Sequence, residues 1–202
     1  DQSTSDTVAI LSSGKASCCS LADFAQALGD LCKLTAADIV RNGEGVRHVM
    51  KVRVKGAPDV PVAKGVGKSV INSPLVKCAI CGNDPNVGRL IMAVGKYLGR
   101  DHPGVHPADC SIRMGGEEIF SGGQFRIDPA VEQRLADYLR SNQLYEPAAP
   151  DQDGVFHVPV SWPRHERTVD IDVDLHCGEA SFTVWGGDLT HEYISENADY
   201  RS

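Results

Sequence analysis

Apolar residues recur at helical spacing in four stretches of the chain. From Ser20, positions Leu21, Phe24, Leu28, Leu31 and Leu34 fall on one stripe, with Gly29 as a weak point inside it. Val60 to Ile71 predicts a second helix, with Ala63, Val66, Gly67 and Val70 facing the protein. The turn Asn83-Asp84-Pro85-Asn86 leads into a third stripe of Leu90, Ile91, Val94, Tyr97 and Leu98. Asp84 is the expected N-cap, and Pro85 suits a first turn because its missing N–H has no helical partner there. Pro129 to Leu139 predicts a fourth helix, with Val131, Leu135 and Leu139 inward. Nearer the start, Ser3-Thr4-Ser5-Asp6-Thr7 is rich in capping side chains and precedes apolar Val8 to Leu11, with Gly14 as a stop.

Strand signals lie between these helices. Val49, Val52 and Val54 suggest a strand that ends at Gly56-Ala57-Pro58. Ser111 to Met114, Gly115-Gly116 and Glu117 to Phe120 read as a hairpin. Val169 to Leu175 alternates with period two and places Asp170, Asp172 and Asp174 on one face; Ala180 to Trp185 is the expected partner strand. The fold class is therefore α/β, with mixed sheets and interleaved helices. The loop from 100 to 109 holds two prolines, two histidines and a glycine. It divides the chain into an α/β part at 1–99 and a C-terminal α/β part at 110–202.

Composition narrows the function classes. Among 202 residues, 42% are hydrophobic and 23% charged, as in an ordinary globular protein. A net charge of −7 argues against a nucleic-acid partner, which usually meets a basic face. No apolar run is long enough to cross a membrane, and no signal-peptide pattern opens the sequence. Seven cysteines, an odd count without such a signal, read as free thiols in a reducing compartment.

Four segments, in order, carry a resemblance. They are Ser3-Thr4-Ser5-Asp6-Thr7; Asn42-Gly43-Glu44-Gly45; the run Asn72-Ser73-Pro74-Leu75-Val76-Lys77 continued by Gly82-Asn83-Asp84-Pro85-Asn86-Val87-Gly88-Arg89; and Trp185-Gly186-Gly187-Asp188-Leu189-Thr190, followed by Tyr193, Asn197, Tyr200 and Ser202. Together they resemble the ornithine acetyltransferase (bifunctional glutamate N-acetyltransferase) family of arginine biosynthesis, in the C-terminal part of its β subunit. Val87 stands where that family carries Trp and Cys78 where it carries Thr, and the stretch from 141 to 167 is longer than the family's.

The resemblance implies the layered α/β fold of that family and an N-terminal-nucleophile mechanism. A precursor cuts itself before a threonine, whose free α-amine then serves as general base for its own hydroxyl. The acyl-enzyme passes acetyl from N-acetylornithine to glutamate, and an oxyanion hole on the preceding subunit stabilises the intermediates. The threonine is expected upstream of Asp1, so no catalytic residue falls in this chain; Thr4 and Thr7 are explained by helix capping. The chain alone is expected to be inactive. Glu44, Asn197 and Ser202 match the family's substrate positions: a carboxylate for the amino acid's ammonium, an amide and a hydroxyl for its carboxylate. Without the resemblance, Glu44 is a solvated loop residue and the other two belong to an unremarked terminus.

The implied partners are the α subunit and the N-terminal part of the β subunit in an (αβ)2 assembly, with small amino acids as ligands. The implied location is cytoplasmic, or the mitochondrial matrix in a eukaryote. Other readings are a noncatalytic paralogue that binds amino acids or serves assembly, and an acyltransferase with a changed acceptor.

No cofactor or metal is expected. Cys78-x-x-Cys81 with His102, His106 and Cys110 has zinc-like spacing, but only if both clusters converge. The Asp170, Asp172, Asp174 row suits calcium or, more simply, a solvated strand face. His48 and His176 read as strand residues that are exposed or internally bonded. Lys77 and Gly88 read as packing and turn residues. Arg89 suits an anion or a neighbouring carboxylate, and Asp188 the N-cap of a helix after a tight glycine turn.

Overall fold

The computed structural model describes residues 14–15, 20–102, 104–158 and 166–199. The capping segment Ser3 to Thr7, apolar Val8 to Leu11 and the terminal Ser202 lie outside them.

Helix α1 spans Leu21–Arg41, strand β1 Val49–Ala57, α2 Val60–Ile71, α3 Pro74–Cys81 and α4 Val87–Asp101. There follow β2 (Ser111–Met114), β3 (Glu117–Ser121), β4 (Gln124–Phe125), α5 (Pro129–Ser141), β5 (Val169–Asp174), β6 (Ala180–Gly187) and α6 (His191–Ala198). Local chemistry sets many of these limits. Ser20, Asp59, Asn86 and Asp128 each accept a backbone N–H of the first turn, as N-caps do. The cap of α4 is thus Asn86 and not Asp84. Pro85 precedes the helix, and the Asp84 carboxylate instead accepts from the Asn86 amide at 3.0 Å.

The six strands form one sheet in the order β4-β3-β2-β5-β1-β6. β1 runs parallel to β5 and antiparallel to β6. This corrects the expected pairing of 180–185 with 169–175: both edges of β5 are already taken, by β1 and β2. It also corrects the division at 100–109. β1, from the first part, lies between two strands of the second, so the two parts share one sheet. A single hydrophobic cluster joins Val52 and Val66 to Ile112, Leu139 and Val173. The loop is a connection across one core.

That core lies on one sheet face. Met50, Val52 and Val54 of β1 and Val169, Ile171 and Val173 of β5 have no exposed surface. Val66 and Val70 of α2 and Leu90, Val94 and Leu98 of α4 are buried against the same cluster. Alternation sends the intervening side chains to the other face. Parallel register sets Lys51 beside Asp170, Arg53 beside Asp172 and Lys55 beside Asp174, and each pair forms a salt bridge. The acidic row that suggested calcium is half of an ion-pair ladder. Such exposed pairs each contribute little to stability.

Candidate functional site

The glycine-rich turn between α1 and β1 carries Glu44, and α6 carries Asn197. The structure brings them together. The Asn197 amide donates to the Glu44 carboxylate at 3.3 Å and to the Tyr193 carbonyl, one helical turn back, at 2.9 Å. Both side chains are exposed, so a carboxylate and an amide are presented side by side to solvent.

Gly45 explains how the turn comes so close to α6. Its φ is +64°, and a Cβ there would lie 2.3 Å from the Tyr193 nitrogen. Only glycine fits that conformation and that approach. The Gly45 carbonyl accepts from Thr190 Oγ1 at 2.6 Å and from the Tyr145 hydroxyl at 3.2 Å. Burial, aided by the Glu192 and Asp188 carboxylates, pushes the Tyr145 hydroxyl up from its ordinary value, which keeps it a donor.

Beneath the turn lies a buried polar layer that the sequence reading did not find. Asp188 is 4% exposed; one carboxylate oxygen accepts the Arg47 backbone N–H at 3.0 Å and the other faces His48 Nδ1 at 2.7 Å. His48 Nε2 faces the Leu139 carbonyl at 3.2 Å. His48 precedes β1 and is internally bonded. Asp188 caps no helix: Thr190 accepts from Tyr193 N and caps α6. Arg47 donates to the Cys81 carbonyl at 2.8 Å and approaches Glu192 at 3.6 Å. Among the described residues, Arg47 Nε and Glu192 Oε1 are buried without hydrogen-bond partners. The layer fixes the turn that carries Glu44 through the Gly45 carbonyl and the Arg47 N–H. Its sequence signal was ambiguous, because Asp188 and Thr190 are both capping types and stand two residues apart.

The other candidates are placed as follows. Arg89 donates to the Leu75 carbonyl at 2.9 Å and ties α4 to the start of α3. Val87 is 4% exposed and packs in the core. His176, with φ +53°, lies in the bend after β5 and faces Ser111 Oγ at 2.9 Å. Cys81 packs against Arg47, and burial pushes its thiol up to about 11. Buried Cys110 points toward the His106 carbonyl, its thiol pushed up to about 12. Among the described residues, no three His, Cys, Asp or Glu side chains form a group able to hold a metal ion. No described helix is long and apolar enough to cross a membrane.

Fold and site together define an α/β protein that presents a clamped carboxylate–amide pair beside the end of its sheet. The family whose model matches residues 1–202 is described as the ArgJ family. The chain is 36% identical over 200 residues to the arginine biosynthesis bifunctional protein ArgJ 2 of Clostridium acetobutylicum, which covers 99% of this chain and 44% of that relative. It is 34% identical over 204 residues to glutamate N-acetyltransferase Oat2 of Streptomyces clavuligerus, covering 99% of this chain and 44% of that protein. A crystal structure of the Bacillus halodurans arginine biosynthesis bifunctional protein ArgJ matches with a TM-score of 0.76 at 30% identity, covering 99% of this chain and 83% of the solved chain. The chain belongs to the ArgJ family. It spans less than half the length of the curated relatives it matches.

Proposed function

We propose that this chain is the amino-acid-binding part of an acetyltransferase that moves acetyl from N-acetylornithine to glutamate. In this reading the nucleophile is a threonine carried outside the chain. Its acyl-enzyme is loaded and unloaded beside Glu44 and Asn197. The observation that carries the reading is the contact between those two side chains, which are 153 positions apart in sequence. Glu44 takes the ligand's ammonium. Asn197 holds that carboxylate in place through one N–H, and its amide oxygen remains to accept from the ligand's ammonium. On the resemblance alone, we assign Ser202 a role in binding the same ligand.

The reading requires further protein. Helix α1 supports this, because Leu21, Phe24, Leu31 and Leu34 are 82%, 42%, 58% and 66% exposed. A stripe that apolar is suited to burial against another polypeptide. We assign its cover to the rest of the (αβ)2 assembly.

The test is acetyl transfer by the assembled protein, with N-acetylornithine and glutamate as substrates. Glu44→Ala should raise KM for both about tenfold or more, the loss of a charge-assisted hydrogen bond of roughly 1.5–3 kcal/mol, with little change in Tm. Absence of transfer by the intact assembly would favour the noncatalytic paralogue. Unchanged kinetics would remove Glu44 from the site.

A further inference from the structure

One turn along α6 from Asn197, Tyr193 lines a cleft of about 500 Å3 that no role has yet claimed. Its walls come from the end of α2, the start of α3 and the end of β6. The β6 wall is Trp185 followed by the bare backbone of Gly186 and Gly187. A Cβ at Gly186 would lie 2.9 Å from Ile71 Cβ, and one at Gly187 would lie 2.6 Å from a methyl of Val46. Close packing against Ile71 and Val46, which also line the cleft, thus demands glycine at both positions.

Lys77 is the cation in this lining. It reaches from α3 and donates to the Gly187 carbonyl. That is its one hydrogen-bond acceptor among the described residues. An ammonium has three N–H donors, so two remain for the cleft. Asp188 also borders the cleft, but its carboxylate is occupied by His48 and the Arg47 N–H. A half-buried ammonium bonded to a neutral carbonyl is incompletely compensated. Burial accordingly holds Lys77 below the ordinary lysine value, although the Asp188 and Cys78 charges act the other way.

We infer that Lys77 is a ligand-binding residue that receives a carboxylate of an amino acid held at its ammonium end by Glu44. The inference rests on the amino-acid-binding reading of Glu44 and adds the opposite pole of the site. A carboxylate at one end and a lysine ammonium at the other complement a zwitterionic or dicarboxylic amino acid. The competing role for Lys77 is purely structural: a pin on the Gly187 carbonyl. Glutamine can keep that pin while losing the charge.

The experiment is calorimetric titration of L-glutamate into the assembled protein, unaltered and carrying Lys77→Gln, Lys77→Arg or Glu44→Ala. L-glutamine and L-isoglutamine, which lack one carboxylate each, are titrated in parallel. Lys77→Gln should weaken glutamate about tenfold or more, and Lys77→Arg should recover most of the loss. The monoamide that lacks the carboxylate met by Lys77 should be indifferent to Lys77→Gln. Equal glutamate affinity in Lys77→Gln and the unaltered protein, with Glu44→Ala weakened, overturns the Lys77 assignment alone. Loss in Lys77→Gln but not in Glu44→Ala keeps Lys77 and removes Glu44. No glutamate binding by the unaltered assembly overturns both. Should Lys77→Gln fail to fold, 13C-methylated lysines in the unaltered protein supply the answer. The Lys77 signal, identified by its absence in Lys77→Arg, should move with glutamate, and a signal that stays still overturns the inference.

Discussion

Helices α1 and α4 carry the same kind of apolar stripe and have opposite surroundings. Leu90, Val94 and Leu98 of α4 are 2%, 0% and 0% exposed, packed with α2 on the sheet. Helix α1, with 21 residues, buries none of its side chains. Spacing therefore says that a face is apolar, not what covers it. For α4 the cover lies within the chain. For α1 we place it in the partner assembly.

The largest expected effect comes from exchanging the two helices' leucines for alanine. Leu98→Ala should destabilise the protein by about 2–5 kcal/mol, since it removes a filled core position and leaves a cavity. Leu31→Ala should leave chain stability nearly unchanged but weaken association with the rest of the assembly. Chemical denaturation and sedimentation read the two separately. Equal losses of stability at both positions would mean that α1 is covered within the chain after all.

A second contrast separates the buried polar layer from the exposed pair it supports. Asp188→Ala strands His48 Nδ1 and the Arg47 N–H in a dry interior, at about 1–3 kcal/mol for each unsatisfied group. A fall in Tm together with a raised KM is the expected outcome. Asn197→Ala, at an exposed site, should alter KM and leave Tm alone. If Asp188→Ala melts like the unaltered protein, water has access to the layer and the clamp on Glu44 is loose.

The smallest of these effects concerns Val87, where the resemblance implies a Trp. Val87 already packs in the core, so Val87→Trp should overfill the site and cost about 1–3 kcal/mol. An unchanged Tm would mean that room for an aromatic ring persists beside α4.

Much of the fold was legible because its signals are local. The limits Val60–Ile71 follow from Asp59 as cap, a proline in the first turn and an unbroken stripe. The hairpin at 111–121 follows from two glycines between alternating runs, with Gly115 at φ +57° and Gly116 at φ +87°. What escaped is non-local or too short. Helix α3 has 8 residues, fewer than a periodic stripe needs to declare itself. Strand order is set by which edges remain free, so the pairing of β6 with β1 left no trace in either strand's own pattern. A proline-rich loop resembles a linker whether or not a shared sheet spans it.

The site was legible unevenly, and for similar reasons. Glu44 and Asn197 were found by resemblance, and their proximity appears only in three dimensions. Asp188 and His48 were passed over because a capping role and a strand role explained each of them individually, and Arg47 carries no signal of its own in the sequence. Lys77 was assigned to packing because nothing in its own segment reveals that Gly186 and Gly187 lie opposite.

The most direct test of the shared subsite is a double-mutant cycle on Glu44 and Asn197. Steady-state KM for glutamate is measured in the assembled protein carrying Glu44→Ala, Asn197→Ala or both. Residues that serve one ligand group should be coupled by roughly 0.5 kcal/mol or more, so the double variant should lose less than the sum of the single losses. Strictly additive losses, or none in either single variant, would contradict a shared amino-acid site at Glu44 and Asn197.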